Sequence, residues 1–294
     1  MYNRIIKMKI EKYLASLEDM TGKEVIVTGG TSGIGLSIVK HLLLKHAKVV
    51  VMARNMKKSK EVKDKLLEIY PDNPIEIIQF DQSNKESIFK ACDEIITHHK
   101  DFYAFILNAG LIQSSKGTTY VNDVPQTINT NFVGVSIIIN RLLYQLEGHH
   151  RIILQGSVVA GLNIKKVKTL KLKNMGSLQQ YFISKAGVEA LFHYHILNDY
   201  PNYSFYLVEP GVTNSDIIRD FPPIIRKLGH IFLKTVSHST DKAALTAMVA
   251  LQSTTRRKSY IVPRGFLTCM GYPKFRKFPS HREREYLIDL LGQI

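Results

Sequence analysis

The stretch Thr28-Gly29-Gly30-Thr31-Ser32-Gly33-Ile34-Gly35 joins a short apolar run, Glu24–Thr28, to a segment with helical spacing, Ile34–Lys45. A glycine-rich turn between a strand and a helix lets the backbone approach a pyrophosphate, and the helix N-terminus adds free N–H groups and a partial positive charge. We expect Gly29 to permit the turn, Gly33 the close approach, and Gly35 tight packing of helix on strand. The whole stretch therefore predicts a dinucleotide site, with a plain strand-to-helix turn as the alternative.

Strand-like and helix-like segments alternate along most of the chain. Short β-branched runs occur at Glu24–Thr28, Lys48–Met52, Ile75–Gln79, Tyr103–Leu107, Arg151–Leu154 and Ser204–Val208. Helical spacing marks Ile34–Lys45, Lys57–Ile69, Lys85–His98, Pro125–Leu146, Leu178–Leu197 and Asp241–Gln252. This alternation predicts an α/β fold, a Rossmann-like doubly wound parallel β-sheet flanked by helices in a single domain. Right-handed crossovers bring the carboxyl ends of the strands to one edge, where ligands bind in such sheets.

Two terminal segments flank this predicted domain. Residues 1–21 place Ile6, Ile10, Leu14 and Leu17 on one helical face, so we expect an N-terminal amphipathic helix. Residues 22–262 form the domain, with a substrate lid at about 212–239, and residues 263–294 form a C-terminal extension. The lid segment Asn214–Ser239 is rich in bulky apolar residues, which favours an apolar substrate, although these residues could equally pack on one another.

The chain is strongly basic, with a formal net charge of +15. Such a charge favours anionic partners, but no nucleic-acid-binding motif accompanies it, so we expect no nucleic acid partner. A basic surface without a specific partner is the simplest interpretation. The lysine-rich segment 162–178 could attract an acidic substrate or could simply be solvated. Lysines near the N-terminus leave a weak membrane-surface contact open. We expect no transmembrane segment, because no apolar run reaches about 18 residues.

Cysteine and histidine patterns argue against metal and disulfide chemistry. Cys92 and Cys269 form no CxxC pair, and the 11 histidines form no HxxxH pattern. Metal sites need closely spaced ligands of these types, so we expect no metal site. Two cysteines in 294 residues are typical of a reducing compartment, and the N-terminus lacks the apolar core of a signal peptide. We therefore expect a cytoplasmic protein.

The end of the second predicted strand indicates which dinucleotide is bound. It reads Met52-Ala53-Arg54-Asn55, where an acidic residue usually holds the ribose 2′-hydroxyl of NAD and an arginine suits the 2′-phosphate of NADP. Arg54 is followed by Lys57 and Lys58, whose charges would complement that phosphate. We therefore expect NADP(H) to be preferred, with NAD(H) open and a solvated cluster of cations at a helix start as the alternative.

Several further motifs carry a resemblance to a known family. Asn108-Ala109-Gly110 follows the fourth predicted strand, Ser157 the fifth and Pro210-Gly211 the sixth, and Tyr181-Phe-Ile-Ser-Lys185 lies on a predicted helix. Together with Asn131 and the glycine-rich turn, in this order and spacing, these residues resemble the classical short-chain dehydrogenases/reductases from about residue 22 to 260. The long gap between Ser157 and Tyr181, and the tail around Gly271-Tyr272-Pro273, resemble the retinol-dehydrogenase-like group.

The resemblance implies a catalytic set of Asn131, Ser157, Tyr181 and Lys185. The last two lie four positions apart, so both project from one face of a helix. A phenol with a pKa near 10 is a poor acid or base at neutral pH, and a nearby ammonium lowers that pKa. Tyr181 would then exchange a proton with the substrate oxygen while Ser157 orients that oxygen.

The resemblance also implies contacts with the cofactor outside the glycine-rich turn. Lys185 would bind the nicotinamide ribose, with Asn131 supporting a water beside it, and Asp81 would meet the adenine amino group. The remaining contacts would come from Arg54, Asn55, Asn108, Ala109, Gly110, Tyr181, Pro210, Gly211, Val212 and Thr213. A homodimer through the helices of Asn131 and Tyr181 is expected on the same ground.

The sequence thus predicts an NADP(H)-dependent oxidoreductase that moves a hydride between the nicotinamide and a small-molecule carbonyl or alcohol. Two alternatives stay open. One is an NADP(H)-binding sensor or scaffold protein without turnover, although Tyr181 and Lys185 are both present. The other is an NAD-preferring alcohol dehydrogenase. The sequence names neither the substrate nor the favoured direction.

Overall fold

A mostly parallel sheet of eight strands forms the centre of the protein. The computed structural model describes residues 2–113, 118–160, 175–198, 200–213, 237–252, 258–265, 268–278 and 287–289. The strands of the sheet are β1 (Glu24–Thr28), β2 (Lys48–Ala53), β3 (Ile75–Gln79), β4 (Ala104–Leu107), β7 (His150–Gln155), β8 (Tyr203–Val208), β9 (Lys258–Pro263) and β10 (Pro273–Arg276). A small antiparallel pair, β5 (Tyr120–Val121) and β6 (Val124–Pro125), lies outside it.

The order of the strands is that of a doubly wound fold. From one edge to the other it reads β3-β2-β1-β4-β7-β8-β9-β10. All neighbours are parallel except β10, which runs antiparallel to β9. The predicted Rossmann-like sheet is confirmed. Because the first seven strands in this order run in one direction, the loops after β1, β2, β3, β4, β7 and β8 meet at one edge.

Helices cover both faces of the sheet. They are α1 (Tyr2–Ala15), α2 (Gly33–Leu44), α3 (Met56–Leu67), α4 (Lys85–His98), α5 (Gln126–Ile128), α6 (Gly134–Leu143), α7 (Ser177–Leu197) and α8 (Thr240–Gln252). A π-helical segment, Asn129–Val133, joins α5 to α6. The continuous helix expected at Pro125–Leu146 is therefore interrupted by one wider turn.

Alternation along the strands divides the core into two apolar clusters. In β1, Ile26 points to a cluster that contains residues of α4, α6 and α7. Val25 and Val27 point to the opposite cluster, with residues of α1, α2 and α8. Strands buried on both faces are typical of parallel sheets covered by helices, and this burial supplies most of the driving force for the fold.

The terminal segments pack on this domain. Ile10 and Leu14 of α1 are buried in the cluster that holds α2 and α8. In the C-terminal part, Phe278 packs edge-on against Phe192 of α7. Among the helices described, we find none with the length and apolar character that a membrane crossing needs. Most of the lysine-rich segment 162–178 and of the expected lid, Asn214–Ser239, lies outside the described residues.

Candidate active site

The glycine-rich turn is as tight as its sequence predicts. Gly29 has a φ of +70°, and a β-carbon there would lie 3.1 Å from the Cα of Ala109. At Gly35 a β-carbon would overlap the carbonyl oxygen of Gly29 and the side-chain nitrogen of Asn108. Only glycine fits at Gly35, because the Gly29 carbonyl group and the Asn108 side chain leave no space for a β-carbon. This packing seats α2 directly on the end of β1.

The first turn of α2 offers unpaired N–H groups at the ligand edge. Ser32 precedes the helix with an extended backbone, and its side chain makes no capping hydrogen bond. Gly33 begins the helix with a φ of +53°, followed by Ile34. The first four N–H groups of a helix lack partners within it, so an uncapped start next to a glycine turn fits the pyrophosphate of a dinucleotide. Thr31 completes the turn between Gly30 and Ser32.

Asn108 and Ala109 tie the end of β4 to the end of β1. The Asn108 side chain donates to the Thr28 carbonyl at 3.0 Å, and the Ala109 N–H donates to the Thr28 hydroxyl at 2.9 Å. A β-carbon on Gly110 would lie 3.2 Å from Asn131 Oδ1 and 3.7 Å from Lys185 Nζ. Gly110 thus leaves a cradle between the glycine turn and Lys185, where a dinucleotide ribose would fit.

Arg54 and Asp81 lie at the far end of this edge, after β2 and β3. Arg54 Nη1 is 4.0 Å from Asp81 Oδ2, and the Arg54 side chain is 60% exposed. The other oxygen of Asp81 accepts from the N–H and the hydroxyl of Ser83. Asn55 caps α3, because its side-chain oxygen accepts from the Lys58 N–H at 3.0 Å. Asp81 therefore stabilises the loop after β3 through its bonds to Ser83. The Arg54 guanidinium is exposed and can bind an anion.

Ser157, Tyr181 and Lys185 meet after β7, where α7 crosses the ligand edge. Tyr181 forms a side-chain hydrogen bond with Ser157. The Lys185 ammonium lies 6.0 Å from the centre of the Tyr181 ring and donates to the Gln155 carbonyl at 2.9 Å. The structure therefore brings together three of the four residues of the expected catalytic set.

Burial controls the pKa of both titratable groups. It raises the pKa of Tyr181, which the hydrogen bond with Ser157 partly lowers again. It lowers the pKa of Lys185 to about 8. Desolvation disfavours the charged form of each group. The lowering of the phenol pKa that the sequence leads us to expect is thus not present in the polypeptide alone, where burial outweighs the hydrogen bond with Ser157.

Asn131, the fourth residue of the set, holds the π-helical segment against the loop after β4. Its side-chain oxygen accepts from the Leu111 N–H and its nitrogen donates to the Leu111 carbonyl, both at 2.8 Å. The same nitrogen donates to Ser184 Oγ at 3.0 Å. π-Helical turns are rare and are often found at functional sites. Asn131 thereby links the cofactor loop to α7, next to Lys185.

The loop after β8 closes the other side of the site. Gly211 has a φ of +76°, and a β-carbon there would clash with the carbonyl oxygen of Cys269. That oxygen accepts from the Val212 N–H at 2.7 Å, and Thr213 forms a parallel bridge with His238. A ring nitrogen of His238 also lies 2.5 Å from the Pro210 carbonyl. The expected nicotinamide loop is therefore held by residues 238 and 269.

Sequence patterns did not identify two buried side chains that support these loops. Gln82 donates to the carbonyls of Ala109 at 3.2 Å and Thr130 at 2.8 Å. Glu209, immediately before Pro210, is 2% exposed, and burial raises its pKa to about 7. Neither residue lies in a motif, and only their positions beside Asp81 and Pro210 could have drawn attention to them. Within the described ranges, no cluster of His, Cys, Asp or Glu side chains could hold a metal ion.

Comparisons with known proteins identify the family of the chain. A family model described as short chain dehydrogenase matches residues 23–223. A short-chain dehydrogenase/reductase of Armillaria gallica is 27% identical over 80% of this chain and 78% of its own length. Human polyprenol dehydrogenase is 27% identical over 76% of this chain and 71% of its own length.

Solved structures share the fold. A short chain dehydrogenase from Burkholderia cenocepacia, crystallised in complex with NADP, matches with a TM-score of 0.60 at 19% identity, covering 82% of this chain and 96% of that one. The matched family model spans more than half of the 294 residues. The chain therefore belongs to the short-chain dehydrogenase family and is an NAD(P)-dependent oxidoreductase that acts on CH–OH and C=O groups.

Proposed function

We propose that this protein is an NADP(H)-dependent dehydrogenase or reductase in which Tyr181 exchanges the proton with the substrate oxygen. The observation that carries the proposal is that the side chains of Ser157, Tyr181 and Lys185 lie close together at the edge of the sheet. Tyr181 is hydrogen-bonded to Ser157, and Lys185 lies behind the ring and beside the Gly110 cradle. This is the arrangement that an acid/base, an orienting hydroxyl and a ribose-binding ammonium require.

Each side chain has one task in the proposed reaction. In the reducing direction, Ser157 donates a hydrogen bond to the carbonyl oxygen, and Tyr181 gives that oxygen its proton as the carbonyl carbon gains a hydride. In the oxidising direction, the tyrosine oxygen takes the proton of the alcohol. A bound nicotinamide would supply or accept the hydride and, when oxidised, would carry a positive charge. That charge favours the phenolate, which burial alone disfavours.

Lys185 and Asn131 hold the cofactor side of the site. The Lys185 ammonium, 3.7 Å from a β-carbon position on Gly110, is suited to bind the nicotinamide ribose hydroxyls. Asn131 positions Lys185 indirectly. The bonds of Asn131 to Leu111 and Ser184 fix the loop after β4 relative to α7, the helix that carries Lys185. Val212 and Thr213, after Pro210-Gly211, would border the nicotinamide amide, and Asp81 the adenine.

A preference for NADP(H) rests on Arg54. Its side chain is 60% exposed, and its guanidinium stands 4.0 Å from its nearest carboxylate. An arginine at the end of the second strand suits a 2′-phosphate, whereas NAD-binding sites usually have a carboxylate there. Asp81 is the acidic residue nearest to Arg54, but one of its two oxygens is already bonded to Ser83.

The substrate that we propose is an apolar alcohol or its carbonyl counterpart. One support is the apolar composition of the segment Asn214–Ser239, with residues such as Phe221, Leu228 and Phe232. A second is the name of a relative, polyprenol dehydrogenase, which indicates a long apolar alcohol. The retinol-dehydrogenase-like subgroup stays a prediction.

Steady-state assays of the purified protein test the proposal. We expect NADPH oxidation with apolar aldehydes or ketones, and slower turnover with NADH. Tyr181→Phe should lower kcat/KM by about 10²- to 10⁴-fold, the usual contribution of a general acid. Tyr194→Phe, an exposed tyrosine on the same helix, is the matched control and should keep full activity.

Three results would contradict the proposal. Full activity of Tyr181→Phe would exclude the proposed acid/base. Tight NADPH binding by calorimetry, without turnover of any carbonyl or alcohol in the panel, would favour a sensor. A higher kcat/KM with NADH than with NADPH would favour the NAD-preferring alcohol dehydrogenase.

A further inference from the structure

The turn between β9 and β10 lies against the loop that follows β8. In this turn, of which residues 264, 265 and 268–272 are described, the Cys269 carbonyl accepts from the Val212 N–H at 2.7 Å. A β-carbon on Gly211 would overlap the same carbonyl oxygen, so the two segments are in close contact. The turn therefore supports the loop 210–213, which we expect to border the nicotinamide.

A second link between the turn and this loop passes through Glu209, the residue directly before the loop. The Thr268 hydroxyl, in the turn, donates to one carboxyl oxygen of Glu209 at 3.3 Å. The Tyr260 hydroxyl, on β9, donates a short hydrogen bond to the other oxygen. The Glu209 N–H donates to the Ile261 carbonyl at 2.9 Å. Glu209 therefore joins β8, β9 and the turn at the point where the loop begins.

Both ends of the link between Glu209 and Thr268 are costly for stability. Glu209 is 2% exposed, and burial raises the pKa of its carboxyl to about 7. The charge of Glu189 on α7 also raises this pKa, and that of Arg276 on β10 lowers it. Thr268 has a φ of +59°, a conformation that branched residues rarely adopt. An apolar residue packed in place of Glu209 would avoid the cost of burying a carboxyl, so the stability of the fold alone does not account for this group.

We propose that Glu209 is a positioning residue for the nicotinamide half of the cofactor. By accepting from Tyr260 and Thr268, its carboxyl holds the turn on the loop 210–213 and so fixes the Val212 backbone. Glu209 then acts through the loop and not by touching the reacting atoms. The inference rests on the proposed function, because it needs the nicotinamide to lie against this loop.

The order of the loop should control the affinity for the nicotinamide. Only molecules with the loop in place can bind that half of the cofactor, so the observed Kd is the intrinsic Kd divided by their fraction. Loss of the Glu209 carboxyl leaves two hydroxyl groups without their acceptor, which costs free energy until the turn moves away from the loop. The adenosine half is expected to bind at the ends of β1, β2 and β3, so its affinity should not depend on Glu209.

Binding of NADPH and of adenosine 2′,5′-bisphosphate, a fragment without the nicotinamide, separates the two halves. Glu209→Leu is similar in size but accepts no hydrogen bond, and we expect its Kd for NADPH to rise at least about fivefold. Its Kd for the bisphosphate should stay the same. The fluorescence of bound NADPH, which comes from the reduced nicotinamide, should shift towards that of the free cofactor. Glu209→Gln retains an acceptor for Tyr260 and should restore the natural values.

Two further variants separate positioning from a loss of stability. Thr268→Val removes only the hydroxyl in the turn, so it should weaken NADPH binding selectively and add nothing in the Glu209→Leu background. This variant keeps the test decisive if Glu209→Leu does not fold. Tyr203→Phe, at the other end of β8, removes a buried hydroxyl that donates to the Leu142 carbonyl at 3.0 Å. It should lower the melting temperature but leave both affinities unchanged.

Three results would overturn the inference. The first is an equal loss of affinity for NADPH and for the bisphosphate in Glu209→Leu, which would assign Glu209 to the stability of the fold. The second is natural NADPH affinity in both Glu209→Leu and Thr268→Val. The third is a Glu209→Gln protein that binds NADPH as weakly as Glu209→Leu. A natural protein that bound neither NADPH nor the bisphosphate would instead contradict the proposed function, and this inference with it.

Discussion

The amino group of Lys185 lies 6.0 Å from the centre of the Tyr181 ring and donates to the carbonyl of Gln155 rather than to the phenol. Lys185 is 6% exposed, and burial lowers its pKa to about 8. The folded protein therefore holds a lysine whose proton leaves more easily than in the unfolded chain. This difference makes the stability of the protein depend on pH.

We expect Lys185 to contribute to the free energy of unfolding, and this contribution should increase as the pH rises from about 8 to the normal titration range of lysine. In this window the unfolded chain binds more protons at Lys185 than the folded protein does, so raising the pH favours the folded state. Urea unfolding between pH 7.5 and 10, compared for natural protein and Lys185→Met, checks this. The variant should lack that part, whereas Lys90→Met, at an exposed lysine, should retain it. Identical curves for Lys185→Met and the natural protein would contradict the shifted pKa.

Glu209 should give a pH dependence of the opposite sign. Tyr260 donates a short hydrogen bond to this carboxyl and Thr268 a longer one at 3.3 Å, yet burial still raises its pKa to about 7. The folded state then binds a proton that the unfolded chain has released, so stability falls as the pH rises from the normal carboxyl range to about 7. Glu209→Gln should remove this decline, as measured by urea unfolding from pH 5 to 8. Glu86→Gln, at an exposed position on α4, should not, and an unchanged decline in Glu209→Gln would refute the assignment.

Replacement of Arg54 should change cofactor choice without changing the reaction. Arg54→Gln removes the charge proposed to pair with the 2′-phosphate, and a charge-assisted hydrogen bond of this kind contributes about 1.5–3 kcal/mol. We expect the Kd for NADPH to rise at least about tenfold while that for NADH stays the same. Fluorescence titration of both cofactors measures the ratio. Lys60→Gln, an exposed lysine on α3, is the matched control, and an equal loss for both cofactors in Arg54→Gln would argue against phosphate recognition.

A single methyl group should disrupt the glycine-rich turn. In Gly35→Ala the new β-carbon would overlap the Gly29 carbonyl, so α2 must move away from β1. Forcing atoms into a well-packed site typically costs about 1–3 kcal/mol, and the displaced helix N-terminus should also lose NADPH affinity. Gly176→Ala is the control, because a β-carbon there meets nothing within 4 Å. A Gly35→Ala protein with normal melting temperature and normal NADPH binding would show that the turn is less tight than described.

Much of the cofactor edge could be predicted because its signals are local. The turn from Gly29 to Gly35, the residues after β4 and the pair Tyr181 and Lys185 each combine a short motif with a strand or helix of strong periodicity. Parallel strands then bring these motifs to one edge by topology alone. The exact boundary is usually the uncertain part of such predictions. Here β1 and β3 match the expected runs, β2, β4 and β8 differ from them by one residue at one end, and β7 differs by one residue at each end.

Other features depend on contacts between distant parts of the chain. The burial of Glu209 requires Tyr260, which lies 51 positions later, and no pattern around Glu209 signals it. Strand β10 pairs with β9 across the turn that follows Pro263, so its existence rests on a partner rather than on its own short sequence. The π-helical turn likewise coincides with the bonds between Asn131 and Leu111, 20 positions apart. Periodicity alone cannot predict such tertiary effects.

The π-helical turn constrains how this segment can change in length. A π-turn accommodates one residue more than an α-turn, and each residue rotates an α-helix by about 100°. Deleting one residue within Asn129–Val133 would let α5 and α6 merge into a regular helix, but it would turn the side chains before the deletion around the axis relative to those after it. After such a deletion, Asn131 could not form its hydrogen bonds with Leu111 and leave the apolar face of α6 buried at the same time. Substitutions along this helix are therefore far more readily accommodated than the loss of a single residue.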